Sequence, residues 1–136
     1  MKVFAAIDDK GGTMFARRRQ SQDVVLREYI LALTSNKKLL LSAYTAKQFE
    51  KHGASNVCVC DDLFAVAGAD DFCFAEEQSL ALHAGKIDVL YLCKWNRAYP
   101  CDKKFDLDLN GFVLNATTDI KGKSHEKITI EEWIKP

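Results

Sequence analysis

Three consecutive arginines, Arg17, Arg18 and Arg19, stand just ahead of Ser21 and Asp23 in the stretch DDKGGTMFARRRQSQD (8–23). Guanidinium groups fork onto phosphate or carboxylate oxygens. A helix start adds free N–H groups and the positive end of a dipole. Ser21 reads as the N-cap of a helix from Gln22 to Leu33; Asp23 suits its first turn and is placed to pair with Arg27 one turn later. Together these residues have the chemistry of an anion site, with the arginines as a rim on a movable, glycine-based loop. The plainer alternative is a solvated loop in which one arginine pairs with Asp8, Asp9 or Asp23.

Two further constellations carry chemistry. In WNRAYPCD (95–102), Arg97, Tyr99 and Asp102 follow a long apolar run, and α/β folds place ligand contacts at such strand ends. An arginine beside an aromatic can hold a ring or base; alternatively Pro100 fixes a turn and Asp102 pairs with Arg97. In KGKSHEK (121–127), Ser124, His125 and Glu126 have the residue types of a hydrolytic triad, but a triad is assembled from distant segments. His125 alone can act as acid or base, or it is a solvated histidine in a turn. His52 and His83 each precede or approach a glycine near a helix end, where capping a carbonyl is the plainer role.

Composition narrows the field. The chain has 136 residues, enough for one domain with a real core. Acids and bases balance at 19 each, so bulk charge does not mark a nucleic-acid or membrane-surface binder; nucleic acid is not expected as a main partner. The cysteines at 58, 60, 73, 93 and 101 are odd in number, contain no Cys-x-x-Cys pair, and mostly lie in strand-like runs. They read as free, mostly buried thiols, which fits a cytoplasmic location. No metal site is expected: Cys58 and Cys60 lack a histidine pair, and three scattered histidines cannot supply a His-x-His-x-Asp-His cluster. The start MKVFAAIDD is too short and too soon acidic for a signal peptide. No run approaches a membrane span.

The elements that must position these residues alternate. KVFAAI (2–7), KLLLS (38–42), NVCVC (56–60), FCFA (72–75) and IDVLYLCKW (87–95) read as strands. Between them, 22–33, 45–53, 61–68 and 76–85 read as helices, those at 45–53 and 76–85 closing at glycines. The final GFVLNATT (111–118) and EKITIEEWI (126–134) read as an antiparallel hairpin. The expectation is a single α/β domain over 1–136, a mostly parallel twisted sheet flanked by helices with a C-terminal antiparallel hairpin.

In KVFAAIDDKGG, NKKLLLSAYTAKQF, IDVLYLCKW and CDKKFDLDLNGFVLNAT, this order of elements resembles dihydrofolate reductase. The resemblance implies that family's fold, with the loop after the first strand bordering the substrate cleft. It also implies which positions should carry its chemistry. Leu26 falls where the family has the pterin-anchoring carboxylate. Glu76-Glu77 replace the glycine pair that lets backbone approach the cofactor pyrophosphate. Ser42-Ala43 stand where a Gly-Arg contacts the cofactor phosphate, and Ala54 where an arginine holds the folate glutamate. Asp102 and Phe105 match an acid and an aromatic. The implied protein keeps the fold without the reductase activity and takes no cofactor.

Two functional classes remain. One is a binding module for a small anionic or nucleotide-like ligand, or for a protein partner, in the former substrate cleft. The other is an enzyme with new chemistry there, such as phosphoester hydrolysis by His125 with the arginines. Convergence of Arg17–Arg19, Arg97 and His125 on one pocket would favour the enzyme.

Overall fold

The structure, a computed structural model, describes all residues from Met1 to Pro136. Ten strands form two sheets: β1 (Lys2–Ile7), β2 (Gly12–Phe15), β3 (Arg18–Arg19), β4 (Leu39–Leu41), β5 (Val57–Val59), β6 (Phe72–Phe74), β7 (Val89–Lys94), β8 (Lys103–Lys104), β9 (Val113–Ile120) and β10 (Ile128–Ile134). The main sheet has seven strands in the order β5-β4-β6-β1-β7-β10-β9. β5, β4, β6, β1 and β7 run parallel, and β10 joins β7 antiparallel with β9 beyond it. The expected α/β domain with its C-terminal hairpin is therefore present.

Alternation along the strands divides the core into two layers. Val3, Ala5 and Ile7 of β1 face a layer with Leu40, Leu63, Phe64, Leu90 and Leu92. Phe4, between them, faces the other with Leu39, Leu41, Phe74, Tyr91 and Trp95. Helix α1 (Val24–Leu33) covers this second face through Leu26 and Ile30, both buried. Parallel strands covered on both faces must be apolar throughout, as the triple leucine of β4 is.

The structure corrects several local expectations. The stretch 76–85 is not an α-helix: turns lead into a 3₁₀ helix at Ala81–Lys86. The helix expected at 45–53 is a short α2 (Ala43–Ala46) continued by 3₁₀ turns at Lys47–His52, with Gly53 at φ 60° closing it as expected. The N-cap of α1 is Asp23, whose side chain accepts from the Val25 N–H, and not Ser21. Arg27 forms no ion pair with Asp23; it donates to His52 and Gln22. The loop at 8–19 is itself a hairpin: β2 pairs with β3 and with β8 in a separate three-stranded sheet. Its turn places Ala16 and Arg17 at φ 50° and 63°, the left-handed conformation that two-residue hairpin turns require.

All five cysteines are free; Cys73 and Cys93 are buried, whereas Cys58, Cys60 and Cys101 are half-buried, so the thiols are less deeply placed than expected. Burial pushes both Cys73 and Cys93 up to about 12, leaving almost no thiolate at neutral pH. A thiol titration without reductant is therefore expected to find all five in denaturant, with Cys73 and Cys93 silent in the folded protein. A deficit in denaturant would reveal a disulfide. No helix is long and apolar enough to cross a membrane.

Candidate functional site

A carboxylate at the start of α1 organises the site. Asp23 is buried and accepts from five donors: the backbone N–H groups of Val25, Lys123 and Ser124, the Ser124 hydroxyl, and Nδ1 of His125 at 2.9 Å. Three of these residues belong to the turn between β9 and β10, which thus closes over the helix start. The approach is tight at Gly122, where a Cβ would lie 2.6 Å from Asp23 Oδ2. Burial raises the carboxyl of Asp23, but its hydrogen bonds outweigh this and hold it well below the usual carboxylate range.

His125 is buried, not solvated as one expectation had it. Its ring stacks on Trp95 at the end of β7, with centroids 4.6 Å apart and planes 24° apart. Nδ1 faces a carboxylate, which can only accept, so Nδ1 carries a proton. Nε2 faces two hydroxyls, Tyr99 Oη at 2.9 Å and Ser21 Oγ at 3.1 Å. Tyr99 is positioned from behind by Asp8, a buried carboxylate that accepts from the Tyr99, Gly12 and Lys10 N–H groups. Burial raises the Asp8 carboxyl and these three bonds lower it, with the net shift downward. Sequence-adjacent Ser124, His125 and Glu126 form no triad; the partners of His125 are Ser21 and Asp23 from the N-terminal part of the chain and Trp95 and Tyr99 after β7, with only Ser124 of its neighbours touching Nδ1.

The arginines do not converge. Arg17 and Arg18 are exposed, and Arg17 lines a small cleft with Asp102 and Lys103. Arg18 lines another with Arg19, Tyr99 and Pro100. Arg97 lies in a third with Glu126 and Lys127. Asp102 pairs with no arginine; it accepts the Ala16 N–H and anchors the hairpin turn. Only Arg19 turns inward, donating from Nε and Nη2 to the two oxygens of Glu76 at 2.9 and 3.0 Å and lying over the Tyr44 ring at 4.3 Å. Burial opposes charge on Arg19, but Glu76 more than offsets it and the guanidinium is shifted upward.

Glu76 follows β6 and Ser42 follows β4, at the C-terminal ends of adjacent parallel strands. Glu76 also accepts from Thr45 and Gln48, and Glu77 from Ser42 at 2.6 Å. Lys103 donates to the Glu77 carbonyl. This strand end, where a βα turn would ordinarily receive phosphate, is filled by internally paired carboxylates.

A cleft of about 890 Å³ lies between α1, the 43–52 helical segment and the 121–124 turn; sequence reasoning offered Arg19 and Asp23 of its lining and missed the rest. Arg19, Arg27, Lys47, Lys51 and Lys123 line it, with Glu50 and the fully committed Asp23 as its acids. Arg27, Lys47, Lys51 and Lys123 have no carboxylate within ion-pair distance. Burial pushes the Arg27 guanidinium down; the Asp23 and Glu28 charges oppose this and nearby Arg19 adds to it, with the net shift downward. Lys47 and Lys51 recur at helical spacing, a signal the sequence does contain; their meeting with Lys123 depends on the turn docking. Neither His52 nor His83 uses its ring to cap a carbonyl: the His52 ring accepts from Arg27, and the His83 ring packs 4.4 Å from that of Phe64.

No family model and no curated protein matches the sequence. Among solved structures, the chain is similar to dihydrofolate reductase from Enterococcus faecalis complexed with NADP(H) and RAB-propyl, with a TM-score of 0.68, 16% identity, and coverage of 98% of this chain and 94% of that one. The order of strands, the C-terminal hairpin and this superposition agree: the protein is a single-domain α/β protein with a divergent dihydrofolate-reductase-like fold.

Proposed function

We propose that the protein binds a small anion, of the phosphate or carboxylate class, and lacks dihydrofolate reductase activity. The observation that carries this reading is the cleft beside α1, where Arg27, Lys47, Lys51 and Lys123 gather without carboxylate partners. Charges left uncompensated in a concave site attract an anion more strongly than the same charges spread over a surface. Of the residues singled out by sequence, Asp23 and His125 act by holding the Lys123 turn in place, and Arg19 forms one wall. Arg17, Arg18, Arg97 and Asp102 lie outside this cleft.

The paired Glu76 and Glu77 support the lack of reductase activity: they place bulk and negative charge where the resemblance puts the cofactor pyrophosphate. The alternative, phosphoester hydrolysis by His125 with the arginines, loses support because Arg17, Arg97 and the Arg18–Arg19 pair line three different clefts and His125 lines none of them.

Inorganic phosphate and nucleoside monophosphates are expected to raise the melting temperature. One-site mass action gives about 2.7 kcal/mol at a hundredfold excess over Kd. The gain should shrink with salt and vanish in Lys47→Glu/Lys51→Glu, while Arg17→Ala/Arg18→Ala retains it. NADPH should give no saturable micromolar change in the fluorescence of Trp95 and Trp133. A phosphate response unchanged by the charge reversals places the anion elsewhere, and no response across the panel refutes the reading.

A further inference from the structure

Ser21 is flanked along the chain by residues that line two clefts, though it is in neither lining itself. Gln22 lines the basic cleft and Gln20 lines a smaller one with Phe15, Tyr99 and Pro100; Arg19 borders both. The Gln20 amide oxygen is buried there without a hydrogen-bond donor. Ser21 itself is half-buried, whereas the His125 and Asp23 behind it are sealed in the core. The chain Ser21 Oγ to His125 Nε2, then His125 Nδ1 to Asp23 Oδ2, runs at 3.1 and 2.9 Å. A neutral imidazole with its proton on Nδ1 presents the Nε2 lone pair to a hydroxyl, the arrangement by which a weak serine nucleophile is activated. Trp95 holds the ring plane, and the five donors on Asp23 hold the carboxylate. Such orientation from behind is what a base needs to work at one atom.

We propose that Ser21 is a nucleophile activated by His125 and Asp23, and that it takes the acyl group of a carboxylic ester bearing a negative charge. The charged-substrate clause rests on the anion reading of the neighbouring cleft; the nucleophile does not. Ser21 Oγ bonds to the carbonyl carbon as its proton passes to His125 Nε2. The carbon–oxygen bond to the alcohol then breaks, and Nε2 returns the proton to the departing oxygen. Water attacks the acyl-serine, giving a proton to Nε2 that is handed back to Ser21 Oγ, and the free acid leaves. Asp23 keeps its charge and accepts from Nδ1 throughout. Tyr99 Oη, 3.4 Å from Ser21 Oγ, is the competing hydroxyl at Nε2.

A neutral fluorophosphonate probe tests the nucleophile without using the basic cleft. Intact mass and peptide mapping should show one adduct, on Ser21, formed at least about a hundredfold faster than on exposed Ser35 and Ser55. Ser35 and Ser55 are internal controls, so the comparison needs no variant. The adduct should be absent from Ser21→Ala, and in a folded His125→Gln it should form at the rate of the exposed serines. No adduct, modification of Tyr99 instead, or equal labelling of all three serines overturns the proposal. The substrate clause is tested with 4-nitrophenyl hydrogen succinate against neutral 4-nitrophenyl acetate. The charged ester should have the higher kcat/KM, and Lys47→Glu/Lys51→Glu should remove that preference. Selective Ser21 labelling with no preference between the esters overturns the substrate clause alone.

Discussion

Replacing Asp23 by alanine is expected to cost the fold about 3–5 kcal/mol, the range for removing one partner of a buried, hydrogen-bonded charge set. One carboxylate caps α1, closes the β9–β10 turn and faces the buried ring of His125. Its loss leaves donors from two segments, α1 and the β9–β10 turn, without an acceptor, and buried donors are costly when unsatisfied. Urea unfolding of the folded variants would measure it. A loss below about 1 kcal/mol, the scale of an ordinary substitution, would mean that the turn is held by something else.

The same carboxylate gives a pH dependence of known sign. Its value is lowered from the ordinary 3.8 in the folded state. The folded state therefore binds fewer protons there than the unfolded chain. The stability it contributes is complete well above 3.8 and is lost progressively as pH falls through 3.8 toward the lower folded-state value. Below about pH 5, wild-type stability should fall with a component missing from Asp23→Asn. Parallel acid profiles for the two proteins would contradict this assignment.

Arg19→Ala is the second large effect, about 2–3 kcal/mol, reduced from a fully buried pair because water still reaches the guanidinium. Arg19 carries 17% side-chain exposure against 8% for Glu76, so truncation strands the more buried carboxylate. Thr45 and Gln48 continue to donate to it, which keeps the loss moderate. Arg19→Lys should rescue little, since an ammonium cannot reproduce the two-pronged contact. Arg19→Ala/Glu76→Gln should recover part of the loss, because the uncompensated charge is gone. Arg19 also fastens the β2–β3 hairpin to the sheet end, so trypsin should cut after Arg17 or Arg18 faster in Arg19→Ala than in wild type. Additive losses in the double variant, with no change in cleavage, would show that the pair is energetically idle.

Much of the architecture was legible along the chain. Apolar β1, β4, β6 and β7 alternate with helical or turn segments, and that alternation requires a parallel sheet with both faces covered. The final two strands with a polar turn between them read as an edge hairpin. Element types failed where local signals were weak: the acidic, serine-containing 76–80 segment resembles a helix start, yet its side chains are spent on Arg19, Ser42 and the sheet end. The β2–β3 hairpin escaped notice because each strand is only a few residues long and its turn uses Ala16 and Arg17 where glycine or asparagine would have announced it.

Ser21, Asp23, Tyr99 and His125 were all visible as chemically capable residues, but their association was not. Local sequence alone offers Ser21 as a cap, Asp23 as a first-turn acid and His125 as a turn residue. Asp23 became the cap and the anchor because the β9–β10 turn, about a hundred residues away, brings four backbone and side-chain donors onto it. The arginines show the converse. Their adjacency looked like one cluster, but Arg17 sits in the left-handed turn, and Arg18 and Arg19, successive in β3, point to opposite sides, so only Arg19 reaches the interior. Composition and periodicity determined the layers and most of the strands. Tertiary packing alone decided which polar side chains meet, because a hydrogen bond between residues 23 and 125 depends on every strand that lies between them.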